Sequence, residues 1–253
     1  MRVLNRAFDQ PLKPEEKAAM LHAGGIMQHG YQCGMIWGAV LAAGAQAYRL
    51  LGPGSQAETI AVIAAQRLVE SFRTYHGEIN CFEITDINKS SSALKMIYVF
   101  LIKGRSIGCL HMSTKYAKAA FSAINFVLSE QQIKAPSSPV SCAAMLAQKM
   151  GLSDMHKVMV AGLAGGIGLC GSACGALGAA IWILGMNSIN KGVGKISYKD
   201  PIALDLINIF LKCTDYEFEC SKIAGQKFDN IDDHAAYLRE GGCSKIIEVL
   251  GTT

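Results

Sequence analysis

The sequence predicts an all-α fold made of two tandem, pseudo-symmetric helical repeats whose glycine-rich helices are buried. Three observations predict it. Hydrophobic residues make up 51% of the 253-residue chain and charged residues only 17%, a balance that supplies an extensive core and excludes disorder. Apolar residues recur at three- and four-residue spacing from Ala57 to Tyr75 and again from Ser113 to Leu128, the periodicity of a helix. The chain also matches itself: Ala23 to Ala45, AGGIMQHGYQCGMIWGAVLAAGA, falls on Ala164 to Met186, AGGIGLCGSACGALGAAIWILGM, at an offset of 141.

The self-match places Cys33 on Cys174 and continues downstream. Glu78-Ile79-Asn80-Cys81 falls on Glu217-Phe218-Glu219-Cys220 at an offset of 139, and Gly108-Cys109 answers Gly242-Cys243. Low complexity explains shared glycine and alanine, but not cysteines in the same order at similar spacing, so a duplication is expected. Lys134-Ala135-Pro136-Ser137-Ser138-Pro139 reads as the connector, because its prolines block a continuing helix. The expected units are residues 1–134 and 135–253.

Taken in order, Glu15 to Gln28, Met35 to Leu50 and Ala57 to Tyr75 read as helices, as does Ser113 to Leu128. In the second half helices are expected at Cys142 to Lys149, Asp154 to Ala164, Gly175 to Leu184 and Pro201 to Leu211. Ser153 and Asp200 suit N-caps, and Pro201 suits the first helical position. Met96 to Ile102, MIYVFLI, has a strand-like composition but no evident partner strand, so it is assigned to helix.

Composition narrows the function classes. Net charge is +4 with acids and bases mixed and no RNA-binding signature, so nucleic acid is not expected as a partner. MRVLNRAFDQPLKPEEK lacks the apolar core of a signal peptide, and a cytoplasmic location is expected. Nine cysteines is a high count for a reducing compartment. No CxxC pair occurs, which excludes a zinc ribbon or a thioredoxin-type motif.

Three readings compete for Ala164 to Gly185. Gly166 to Gly171 fits G-x-G-x-x-G, but a dinucleotide site needs an acidic residue about twenty positions later, and the chain stays uncharged to Asn190. The uncharged windows Val158 to Asn190 and Ala18 to Tyr48 are long enough to cross a bilayer. Their Gly-x-x-Gly turns would break such spans, and a helix buried on all sides has the same composition, so no membrane span is expected. The third reading is a cysteine site: a thiol at a helix start feels the positive end of the dipole, which favours thiolate. A free cysteine also behaves as a small buried hydrophobe, but three repeated positions together favour a site.

Cys142, then Gly165-Gly166-Ile167-Gly168 before Cys174-Gly175-Ala176, then Cys220 and Cys243 resembles the C-GCAxxG-C-C family of redox-active proteins. The likeness covers essentially all of the second half. The first half resembles a degenerate copy, with Cys33-Gly34-Met35, Cys81 and Cys109 but no counterpart of Cys142. Ala179 stands where the family has its last glycine. The resemblance implies redox chemistry and, as one use of the cysteines, an iron–sulfur centre, whose ligands are thiolates.

On that basis the leading expectation is an electron-transfer protein or subunit with a redox partner. Cys174, Cys220 and Cys243 would hold an iron–sulfur or other iron centre, with Cys142 or Cys170 as a fourth metal ligand. Cys33, Cys81 and Cys109 would hold a second centre or its vestige. The alternative is a thiol–disulfide oxidoreductase in which Cys174 attacks and Cys220 or Cys243 resolves. A structural accessory subunit is a third reading, and a homo-oligomer is compatible with all of them. Cys213 is additional, and His29 aligns with Cys170. His22, His76, His111, His156 and His234 read as surface or helix-end residues, and Trp37 and Trp182 as core.

Overall fold

A computed structural model describes residues 1–130, 134–192 and 197–252. The chain is mostly helical, and the described residues form no strands, only two isolated β-bridges. The first half contains α1 (Arg2–Ala7), α2 (Lys13–Ala18) running into a 3₁₀ turn (Ala19–His22), α3 (Gly34–Leu51), α4 (Ser55–His76), α5 (Cys81–Thr85), α6 (Ala93–Ile97), a π-helical stretch (Tyr98–Ile102) and α7 (Arg105–Ser129). The second contains α8 (Cys142–Lys149), α9 (Asp154–Ala161), α10 (Gly175–Asn190), α11 (Pro201–Cys213), α12 (Cys220–Ile223), α13 (Ile231–Arg239) and α14 (Ser244–Leu250).

Local chemistry sets several of these boundaries. The Ser153 side chain accepts from His156 N at the head of α9, and Asp200 Oδ1 accepts from Ala203 N at 3.0 Å with Pro201 at the first position of α11. Each cap satisfies an amide that the helix itself leaves unpaired. MIYVFLI is helical, as α6 and the π-helical stretch.

One expected helix does not run its length. Glu15 to Gln28 stops being right-handed at Ala23, and Gly24, Gly25, Ile26, Met27 and Gln28 all take positive φ, between 45° and 74°. That is a turn of left-handed backbone, including three residues with side chains. The uncharged composition suggested a helix but carried no signal for its hand.

α3, uncharged as far as Arg49 in its last turn, and the uncharged α10 lie at the centre of one apolar core that runs from Leu4 to Leu250. Gly44 of α3 lets the backbones of α3 and α9 meet, since a Cβ there would stand 2.5 Å from Met159 Cα. Trp37 packs against Gly178 of α10 and donates to Gln32 O at 3.0 Å, while Trp182 donates to Glu15 O at 3.1 Å. Trp182 thus ties the second half to the start of the first. Truncating either fully buried indole would cost about 3–5 kcal/mol. Among the described residues no helix is long and apolar enough to cross a membrane.

Candidate functional site

Two left-handed turns position the cysteines. Gly165, Gly166, Ile167, Gly168 and Leu169 take φ between 55° and 77°, repeating the hand seen at residues 24–28. The hydrogen bonds repeat as well. Gly30 N donates to Gly24 O and Gly171 N to Gly165 O, both at 2.9 Å. Consecutive left-handed L-residues are costly, and such strain persists only where the surroundings fix it. Gly166 is required for a second reason: a Cβ there would stand 2.5 Å from Ser172 O and 3.0 Å from Cys220 Cβ.

After each turn a single bridge joins two cysteine segments, Gln32 to Asn80 in the first half and Ala173 to Glu219 in the second. Cys33 N donates to Ile79 O and Cys174 N to Phe218 O, both at 2.8 Å. Cys81 N donates to Tyr31 O and Cys220 N to Ser172 O, both at 2.7 Å. Cys33 and Cys174 then cap α3 and α10, and Cys81 and Cys220 open α5 and α12.

In the second half, Cys142 opens α8 behind the buried Ser141 cap, and Cys243 sits in left-handed conformation (φ 61°) before α14. The neighbouring Cys243 thiol, and after it His234, hold the Cys142 thiol well below the usual thiol range despite burial. Cys243 is correspondingly pushed up, by its contact with Cys142 and by burial. Cys174 is pushed up to about 12 by burial and then by the charge on Cys142. Cys220 is raised by burial and by the neighbouring Cys174, Cys142 and Cys170. The structure therefore brings Cys142, Cys174, Cys220 and Cys243 into mutual electrostatic reach. A thiolate at Cys174 was the expectation from its helix start. Burial outweighs the helix dipole there.

His234 is the residue that sequence reasoning missed. It is 1% exposed, and its Nδ1 stands 3.1 Å from Val140 O. A carbonyl only accepts, so Nδ1 carries the hydrogen. Nε2 is buried without a well-formed hydrogen bond and lies beside Cys142. The two interact by charge: burial disfavours the imidazolium, but Cys142 raises the His234 pKa overall. No helix was expected over Ile231–Arg239, where the structure has α13, and His234 was read as a surface or helix-end residue, so nothing in the sequence marked it as buried.

Cys170 stands slightly apart. Its thiol donates to Gly166 O at 2.7 Å, and Gln32 Nε2 reaches both Gly166 O, at 3.2 Å, and the Cys170 sulfur, at 3.9 Å. Burial raises Cys170. Gln32 thereby links the two turns, and the His29 and Tyr31 rings pack on Phe218, with centroids 5.1 and 4.9 Å away. Cys213, at the end of α11, is one charge neighbour of Cys174.

The first half differs at one sulfur. Cys33, Cys81 and Cys109 line a cavity of about 520 Å³ with Met1, Met35 and Met96. Met1 stands 141 positions before Cys142, so a thioether holds the place of the fourth thiol. Burial pushes Cys33 up to about 12 and also raises Cys81 and Cys109. All nine cysteines are free thiols.

Among the described residues no group of three or more His, Cys, Asp or Glu side chains is arranged to hold a metal ion. By donor chemistry, thiols are the ligand type that iron–sulfur clusters use; Cys142, Cys174 and Cys220 are buried and Cys243 is partly buried. The family model described as "Putative redox-active protein (C_GCAxxG_C_C)" matches the chain twice, at residues 1–120 and 139–251. No curated protein and no solved structure matches.

Proposed function

The chain belongs to the C_GCAxxG_C_C family of redox-active proteins along both halves, and on that premise we propose that it is an electron-transfer protein built from two pseudo-symmetric copies. Residues 135–253 are the complete copy, and residues 1–134 the copy that has lost its fourth thiol. Cys142, Cys174, Cys220 and Cys243 would hold an iron–sulfur cluster, which supplies one-electron chemistry when bound. The observation that supports this reading is the mutual influence on one another's ionisation of three buried cysteines and the partly buried Cys243. The chain's own contribution is to exclude water, to place one negative charge at Cys142, and to offset it with His234.

The contact between Cys243 and Cys142 favours a second reading, a dithiol–disulfide couple. In it Cys142, rather than Cys174, is the nucleophilic thiolate, and Cys243 is the partner close enough to bridge. Iron and acid-labile sulfide measured on protein purified without oxygen separate the two. Both elements present, and lost in Cys174→Ser, supports the cluster. Iron-free protein that loses a pair of hydrogens on mild oxidation, but not in Cys243→Ser, supports the couple.

A further inference from the structure

From Ile87 to Ser129 the chain contains no Asp or Glu, while Lys89, Lys95, Lys103, Arg105, Lys115 and Lys118 all fall within it. The whole chain carries only +4, so this segment holds more positive charge than the rest balances. The same segment forms a helical hairpin of α6, the π-helical stretch and the start of α7, turning at Lys103 and Gly104. Its inner side is already occupied, with Val99 buried and Met96, Phe100 and Cys109 walling the thiol-lined cavity.

Its outer side is apolar and uncovered. Leu94, Leu101, Ile102, Ile107 and Leu110 are between 67% and 79% exposed, and Ile97 is half exposed. Leu94, Ile97 and Leu101 follow three- and four-residue spacing along one helical face. Basic residues alternate with these positions in the chain: Lys95, which pairs with Asp86 at 3.1 Å, Lys103, which lies 5.3 Å from the centre of the Tyr98 ring, and Arg105.

We propose that the hairpin of residues 94–110 docks the protein on an anionic lipid surface, lying in the headgroup region with Leu101 and Ile102 inserted. The composition of the face selects lipid over protein. Protein interfaces concentrate aromatic residues and arginine and are depleted in lysine, whereas this face is mainly leucine and isoleucine with the half-exposed Tyr98 and with Lys95, Lys103 and Arg105 in the same hairpin, the pattern of interfacial helices. A second copy is disfavoured by charge, since a twofold contact would set the basic residues of two hairpins against each other. The hairpin is too short to span, so it rests on one leaflet. Lysine stems extend along such a surface with their ammonium groups among the phosphates.

The test is sedimentation of the full-length protein with phosphatidylcholine vesicles, with and without phosphatidylglycerol. The protein should pellet with the anionic vesicles, and less as salt is raised. The bound-to-free ratio should fall roughly tenfold or more in Lys103→Ala/Arg105→Ala, as expected for two basic residues near an anionic surface. Leu101→Glu/Ile102→Glu should abolish binding; both positions are exposed, and circular dichroism checks that the variant stays helical. Failure to pellet with either vesicle overturns the proposal, as does pelleting of the Leu101→Glu/Ile102→Glu variant like the parent. A dimer that this variant splits, without vesicle binding by the parent, would make the face an interface between copies instead.

Discussion

His234 Nδ1 stands 3.1 Å from the carbonyl of Val140, two residues before Cys142. The backbone that leads into the thiolate therefore also sets the tautomer of the imidazole that balances it. In metal-free protein, His234→Gln removes that balancing charge. The lowest thiol transition, followed by ultraviolet thiolate absorbance, should move to higher pH. It should vanish in Cys142→Ser. A His234→Gln titration that overlays the parent would show that the imidazole is only packing.

Cys174 has a counterpart in the first half and lies among the other thiols, whereas Cys213 has none and is half buried at the end of α11. Substitution of Cys174 by serine should remove most of the iron from anaerobically prepared protein, and Cys213→Ser should leave it nearly unchanged. Equal losses would mean that the duplication is a poor guide to which sulfurs matter.

Stability of the metal-free chain should fall at alkaline pH. Cys33 and Cys174 keep their protons in the folded state to about 12, while an unfolded thiol ionises near 8.5. The unfolded chain therefore sheds protons first. Each thiol then costs about 1.4 kcal/mol of stability per pH unit between roughly 8.5 and 12. Cys142 has the opposite sign: its pKa is depressed, so its contribution is full above the unfolded thiol value and lost as pH falls through the folded one. Thermal melts from pH 8 to 10 should show Tm dropping, and less so in Cys33→Ala. A Tm independent of pH over that range would contradict the burial of these thiols.

Gly166→Ala combines an unfavourable φ of +77° with collisions against Ser172 and Cys220. It should destabilise by about 2–4 kcal/mol in urea unfolding. Gly108 of α7 offers the contrast, since a Cβ there meets nothing within 4 Å. Gly108→Ala should stabilise by about 0.5–1 kcal/mol through helix propensity alone. Equal effects would remove the turn's special status.

The helical class and the cysteine order were legible because both are written in local pattern. Cys142 to Lys149 and the Asp200-Pro201 start of α11 carry their own caps and periodicity, and the structure places helices there. The hand of residues 24–28 was not legible, because Ile26, Met27 and Gln28 are residues that ordinarily avoid positive φ. His234 was not legible either, since its burial depends on Val140, 94 positions away. The site's charge distribution was misread for the same kind of reason. A helix start is visible in sequence, whereas the burial that overrides it at Cys174 comes from the rest of the fold.

The left-handed turn before Cys33 also bears on how the chain reaches its fold. As a free peptide, residues 13–28 would not hold five residues in that hand, since each side chain there prefers the opposite winding. The segment is locally frustrated: its own preference and the tertiary structure disagree. Only the closed core around Ile26 and Met27, 0% and 2% exposed, enforces the native hand. The native hand of the turn is therefore a property of the assembled core and not of the segment alone. The backbone that leads into Cys33 is thus set by its surroundings rather than by the residues that make it.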